Sequence, residues 1–238
     1  MGDEEKPYTL IKESGETTNN SREFTGRGTA IYPPEEEKNE IYEGDFFDGR
    51  RKGKGKYFYK NGDVYDGDWV DNMKHGFGKL TYKDKGEYYG FFENGRRHGE
   101  GQMNYPNGDT YSGWWKYGKK EGKGAYVYAA TGMKLEGNWK DGKMTDGKWT
   151  LPNGVIYEGN FEFNKPIGEG VWHLKNGNKL RGVYKQKVER DENGNVVLPQ
   201  DEEEGTWPPK GPKVDSEWIS ETKLAESAEL INCHLNVQ

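Results

Sequence analysis

Three sets of residues in this sequence could do chemistry. The first is a series of Gly-x-Gly triplets at 53–55, 76–78, 99–101, 122–124 and 168–170. A glycine-rich loop cradles phosphate when it joins a strand to a helix N-terminus. These triplets recur instead between aromatic and turn residues, which makes them parts of hairpins rather than nucleotide fingerprints. The second set lies just ahead of the triplets: Arg50, Arg51 and Lys52, then Lys74, Arg96, Arg97, Lys119, Lys120 and Lys143. Recurrence at one position predicts a row of positive charge along one sheet edge. Such a row suits acidic partners, or simply solubilises the sheet beside Glu43, Asp45, Asp66 and Asp68. The third set is His75 and His98, which occupy equivalent positions and read as repeat residues rather than as metal ligands or catalytic bases. No nucleophile comes with a base and an orienting partner, and neither HExxH nor CxxC occurs. The expectation is a non-enzyme with no cofactor, no metal, no small-molecule substrate and no nucleic-acid partner.

The elements that would position these residues follow from the spacing. The second glycine of the triplet falls at Gly55, Gly78, Gly101, Gly124, Gly147 and Gly170, always 23 residues apart, and such a period signals stacked supersecondary units. A Tyr-x-Gly glycine recurs at Gly44, Gly67, Gly90, Gly113, Gly137, Gly159 and Gly182, each followed two residues later by an aromatic ring. Apolar residues alternate with period two, so each unit is two strands. Asp48-Gly49, Asn94-Gly95 and Asp141-Gly142 supply hairpin turns within units, and Asn61-Gly62, Asn107-Gly108, Asn153-Gly154 and Asn176-Gly177 supply them between units. The fifth unit departs: Leu135 replaces the opening tyrosine, Thr145 the first glycine, and 129–133 is an insertion that could be a bend, a docking point or drift.

This repeat resembles the MORN (membrane occupation and recognition nexus) repeat in seven copies, with YDGDW, YSGWW and YEGNF matching its opening and KHGFG, RHGEG and KEGKG its middle. The resemblance covers residues 42–185, about 60% of the chain. It implies an all-β fold: an elongated, single-layer, twisted antiparallel sheet of consecutive hairpins with a groove on one side. At about 4.8 Å per strand, seven units would span about 65 Å. The stretch 128–184 further resembles radial spoke head proteins of motile cilia, of the type-1 or type-10 subfamily, in its YA-x-TG insertion, NKP-x-G-x-G unit and NGN-x-x-x-G closing repeat, with an acidic C-terminal tail after it. That implies a structural subunit of the axoneme whose partners are other spoke-head subunits or a second copy of itself. The family name implies a competing class, an adaptor for acidic phospholipid or membrane contact. The chain's acidity argues against lipid, since stable anchoring takes two signals.

Around the array, 1–23 reads as an acidic disordered tail and 24–41 as a partial leading repeat that covers the first edge. Residues 186–212 read as an acidic and proline-rich linker, and 213–238 as an amphipathic helical segment capped at Asp215 or Ser216, with Leu224, Ala228, Ile231 and Leu235 on one stripe. Net charge is −5 over 1–41, +6 over 42–185 and −7 over 186–238, so a basic array lies between acidic flanks. Only 31% of the residues are hydrophobic while 14% are aromatic, which favours a thin sheet held by rings over a large aliphatic core. A single cysteine, Cys233, suits a reducing compartment. The start shows no signal-peptide, transit-peptide or myristoylation pattern, and the expected location is cytoplasm and cytoskeleton, at the ciliary or flagellar axoneme.

The repeat aromatics read either as the sheet's own core or as contacts for a partner, since a single-layer sheet leaves its ring face without a second layer. The residues expected to meet partners are Trp69, Trp115, Trp139 and Trp172 on that face, Arg96, Arg97, Lys119 and Lys120 along its edge, and Trp218 in the tail.

Overall fold

The computed structural model describes residues 8–33, 39–197 and 214–221; they form seventeen strands and no helix. They fall into two compact units, one holding those of Met1–Pro106 and Ser112–Lys119, the other those of Asn107–Tyr111 and Lys120–Gln238. In the first run β1 (Thr9–Lys12), β2 (Thr17–Thr18), β3 (Gly26–Tyr32), β4 (Glu40–Phe47), β5 (Arg50–Phe58), β6 (Val64–Val70), β7 (Met73–Tyr82), β8 (Gly86–Glu93), β9 (Arg96–Asn104) and most of β10 (Thr110–Lys116). The second continues with β11 (Lys119–Val127), β12 (Lys134–Lys140), β13 (Lys143–Thr150), β14 (Ile156–Glu162), β15 (Lys165–His173), β16 (Lys179–Val188) and β17 (Val214–Ser220). From β3 to β9, and from β11 to β17, each strand pairs antiparallel with the next.

The repeat glycines set the register. In the first unit Gly28 pairs with Gly44, Gly44 with Gly55, Gly55 with Gly67, Gly67 with Gly78, Gly78 with Gly90 and Gly90 with Gly101. In the second the row runs Gly124, Gly137, Gly147, Gly159, Gly170 and Gly182. A row of bare backbone lets a ring lie flat across two strands. A Cβ at Gly78 would lie 2.5 Å from the Tyr65 hydroxyl oxygen, and Tyr88 and Tyr157 lie in the same way over Gly101 and Gly170. Each unit is thus one layer whose core is the ring face itself.

Within the repeats the hairpin turns place both central residues at positive φ, as type I′ turns require. The pairs are Asp48-Gly49, Asp71-Asn72, Asn94-Gly95, Tyr117-Gly118, Asp141-Gly142 and Phe163-Asn164. A bulge follows the Tyr-x-Gly glycine in β4, β6 and β8. It turns Asp45 and Asp68 back onto the backbone, where their carboxylates accept from the amides of Lys54 (3.0 Å) and Phe77 (3.2 Å).

In the fifth repeat Thr145 stands two residues before Gly147, as Gly76 stands before Gly78, but Gly137 pairs with Gly147 across a loop one residue shorter than that between Gly67 and Gly78. The insertion near 129–133 adds one residue and this deletion removes one, so the 23-residue spacing survives and no positive φ is needed at Thr145.

Both flanks also differ from expectation. Residues 9–18 form a hairpin instead of a disordered tail: β1 pairs with β2 and with β3, and Leu10, fully buried, presses within 3.0 Å of where a Gly28 Cβ would be. Residues 214–220 are a strand rather than the start of a helix. Val214, Ser216, Trp218 and Ser220 alternate with Asp215, Glu217 and Ile219, and the free edge of β16 offers backbone groups for them to pair with. The helical stripe Leu224–Leu235 and most of the linker lie outside the described residues.

Candidate functional site

On the ring face the cations and the rings make one structure. The residue directly across from the second aromatic of each repeat turns inward: Arg51 opposite Phe46, Lys74 opposite Trp69, Arg97 opposite Phe92. The Arg51 guanidinium carbon lies 4.8 Å from the Trp69 ring centre, 5.2 Å from Tyr57 and 5.7 Å from Tyr42. Arg97 lies 4.2 Å from Trp115 and 5.6 Å from Tyr88. In the second unit Lys120 lies 4.7 Å from Tyr126, 4.8 Å from Trp139 and 5.0 Å from Tyr111. Each such contact stabilises by about 0.5–2 kcal/mol, and the aliphatic stems shield the rings from water. The fifth and sixth repeats carry Met144 and Pro166 in this place, opposite Trp139 and Phe161, so no cation enters from that position.

The expected partner contacts are therefore divided by the fold. Trp69, Trp115, Trp139 and Trp172 keep only 1–3% of their surface exposed, so the bare ring face expected from a single layer is closed by the sheet's own side chains. Three of these indoles donate to glycine carbonyls: Trp69 to Gly55 (3.0 Å), Trp115 to Gly101 (3.2 Å) and Trp139 to Gly124 (3.1 Å). Arg97 and Lys120 point inward, while Arg96 and Lys119 point to solvent, so the basic row is half its expected strength. Trp218 is half-buried on β17, its ring 2.6 Å from where a Gly182 Cβ would be; it closes the last open glycine of the second unit.

Tyrosine hydroxyls finish the ring face. Tyr42, Tyr65 and Tyr88 donate to the carbonyls of Asp45 (2.9 Å), Asp68 (2.9 Å) and Phe91 (3.1 Å). Burial raises the hydroxyl pKa of all three, and that of Tyr157 to about 12. Burial pulls the Lys74 ammonium below the usual lysine value; nearby Asp63 opposes this, and Arg97 and Arg51 add to it.

Two features escaped the sequence reading. On the opposite, charged face of the first unit, Phe77 and Phe91 are cross-strand partners with ring centres 5.7 Å apart; with Trp114 they are each about half exposed. They sit at positions that hold polar residues in other repeats, which was the available signal. The other is a recess beside Leu80, described below. Among the described residues no group of three or more His, Cys, Asp or Glu could hold a metal ion, and no helix is long and apolar enough to cross a membrane.

Paired glycine rows, I′ hairpins and ring-over-glycine packing define a tandem β-hairpin repeat protein. The family model that matches is the MORN repeat, at residues 42–64, 65–87, 88–110, 111–132, 136–145 and 157–179, just over half of the chain, and the chain belongs to that family. These are six matches; the seventh Tyr-x-Gly position, Leu180-Arg181-Gly182, is built on β16 in the same register. No curated protein matches the chain.

Proposed function

We propose that this protein is a non-enzymatic scaffold subunit of the radial spoke head in motile cilia and flagella, cytoskeletal in location, which joins neighbouring spoke-head subunits. The observation that carries the scaffold reading is the closure of the ring face by the sheet's own residues. A sheet whose rings are covered by its own side chains needs no partner to hold its shape, and it leaves the aromatic residues and charges of its other face, with the recess beside Leu80, to meet neighbours. The spoke assignment rests on the resemblance of 128–184. The inward turn of Arg51, Lys74, Arg97 and Lys120 weakens the membrane-contact alternative, since it leaves fewer cations to meet acidic headgroups. In a ciliated cell the tagged protein is expected along the axoneme and should stay with it after detergent removes the membrane. Release with the membrane fraction would overturn the assignment.

A further inference from the structure

The inward cation of the second repeat has surroundings unlike those of the first and fourth, while in the third Met103 holds the corresponding place with its sulfur 4.0 Å from Arg97. Beside Arg51, Tyr57 fills the cage and donates to Glu40 (2.9 Å); beside Lys120, Tyr126 fills it and donates to Asp109 (2.7 Å). Twenty-three residues after Tyr57 the second repeat has Leu80, which brings neither ring nor hydroxyl. The space stays open as a recess of about 360 Å³, walled by Tyr59, Tyr82 and Phe92. Lys74, Arg96 and Arg97 line it against one carboxylate, Asp63. Asp63 stands where Glu40 and Asp109 stand in their repeats, but no tyrosine takes its proton-accepting oxygens. It is held on the turn by the Asn61 side-chain amide (3.0 Å) and the Lys83 backbone amide (2.9 Å). Lys74 makes no ion pair among the described residues; its Nζ lies 5.1 Å from the Tyr59 ring and 5.7 Å from Tyr65.

We propose that this recess binds a carboxylate side chain, glutamate or aspartate, presented by an acidic segment of a partner protein. Three cations against one carboxylate leave an excess of positive charge in a half-enclosed site, where an arriving anion gains more than it would in water. One Arg97 nitrogen is committed to the Gly118 carbonyl (2.7 Å) and the guanidinium carbon lies over the Trp115 ring, 4.2 Å from its centre, so the group is held in place before a ligand arrives. Lys74 supplies a mobile point charge opposite it. The ring walls accept the methylenes of the incoming side chain and exclude water around the ion pair. Burial lowers the ammonium pKa of Lys74, and Asp63 offsets this only in part.

This inference rests on the scaffold reading and gives one of its contacts a chemistry. The test uses the full chain, a short end-blocked peptide of alternating glutamate and phenylalanine, and the same peptide with glutamine for glutamate, followed by calorimetry at physiological salt. Leu80→Tyr introduces the residue of the first and fourth repeats and should fill the recess; Lys74→Met copies Met144 of the fifth repeat, so both variants should keep the fold, checked by circular dichroism. The glutamate peptide should bind, the glutamine peptide should bind about tenfold more weakly, and each variant should lose about tenfold in affinity. Asp63→Asn should gain about threefold by removing the like charge. Equal binding by wild type and Leu80→Tyr, or no binding of the glutamate peptide, overturns the site while leaving axonemal retention untouched. If vesicles of acidic phospholipid bind instead, and Leu80→Tyr abolishes that binding, the site belongs to a lipid and the proposal is wrong.

Discussion

At the scale of single residues, the tyrosines of the ring face differ in what their hydroxyls do. Tyr65 donates to the Asp68 carbonyl, whereas the buried hydroxyl of Tyr157 has no hydrogen-bond partner among the described residues. Tyr65→Phe should therefore cost about 1 kcal/mol, while Tyr157→Phe should be neutral or stabilising, because it removes a desolvated polar atom that gains nothing. Equal losses in denaturant titrations would contradict the assignment. Gly78→Ala should cost about 1–3 kcal/mol, since its methyl would meet the Tyr65 hydroxyl and the ring cannot rise without uncovering its neighbours. The raised tyrosine pKa values fix a sign for alkaline behaviour. Unfolded tyrosines ionise near 10, while Tyr42, Tyr65, Tyr88 and Tyr184 lie above that by burial, and Tyr157 near about 12. Between those values the unfolded chain binds fewer protons than the folded one, so stability should be present below pH ~10 and fall above it. Lys74 acts in the opposite direction over the range below the usual lysine value, but one lysine faces several tyrosines. Tyrosinate absorbance from these rings should appear only together with the loss of strand signal in circular dichroism.

At the scale of elements, two of the hairpins carry turn residues that positive φ does not favour. Tyr117, at φ 51°, and Phe163, at φ 52°, are bulky side chains in the left-handed region, where Asn and Asp stand in the sister turns. Tyr117→Asn creates the Asn-Gly pair already used at Asn94-Gly95 and should stabilise by about 1 kcal/mol, read as a raised melting temperature. The cost of the exchange is the ring contact between Tyr117 and His98, 5.9 Å apart on the surface, which is worth less than the relieved strain. At the far end of the second unit, β17 supplies Trp218 to cover Gly182 and Val214 to accept from Lys165 Nζ (2.7 Å). Removing residues 214–238 should leave Tyr184 and Gly182 open to water and destabilise β16 first, visible as faster hydrogen exchange in β16 than in β14. Unchanged exchange there would mean that β17 is only an accessory strand.

At the scale of the whole molecule, charge decides between the two readings of the family. The chain is −6 overall and its flanks are acidic, while half of the array's recurring cations are folded onto rings. Liposomes containing acidic phospholipid should bind the protein weakly at physiological salt, and charge reversal at Arg96 and Lys119 should abolish what little binding there is. Strong, salt-resistant binding would restore the membrane-contact reading.

The repeat was legible in the sequence because it is local. A 23-residue period, alternation of period two and Asn-Gly or Asp-Gly turns together set strand, register and the glycine rows, since each strand pairs with its neighbour in the chain and no distant choice intervenes. Four things were decided only by the tertiary structure. Which of two adjacent basic residues turns inward depends on the pairing across the hairpin turn, which sets Arg97 opposite the inward Phe92 and Arg96 opposite the exposed Glu93. The tryptophans look like exposed contacts in a single layer, yet rings, glycines and cation stems bury one another across strands. The strand at 214–220 and the hairpin at 9–18 exist because open sheet edges lend them backbone partners that their own composition does not reveal. The recess at Leu80 arises from what is missing relative to Tyr57 and Tyr126, and a missing ring becomes a cavity only when the strands around it are held in place by packing.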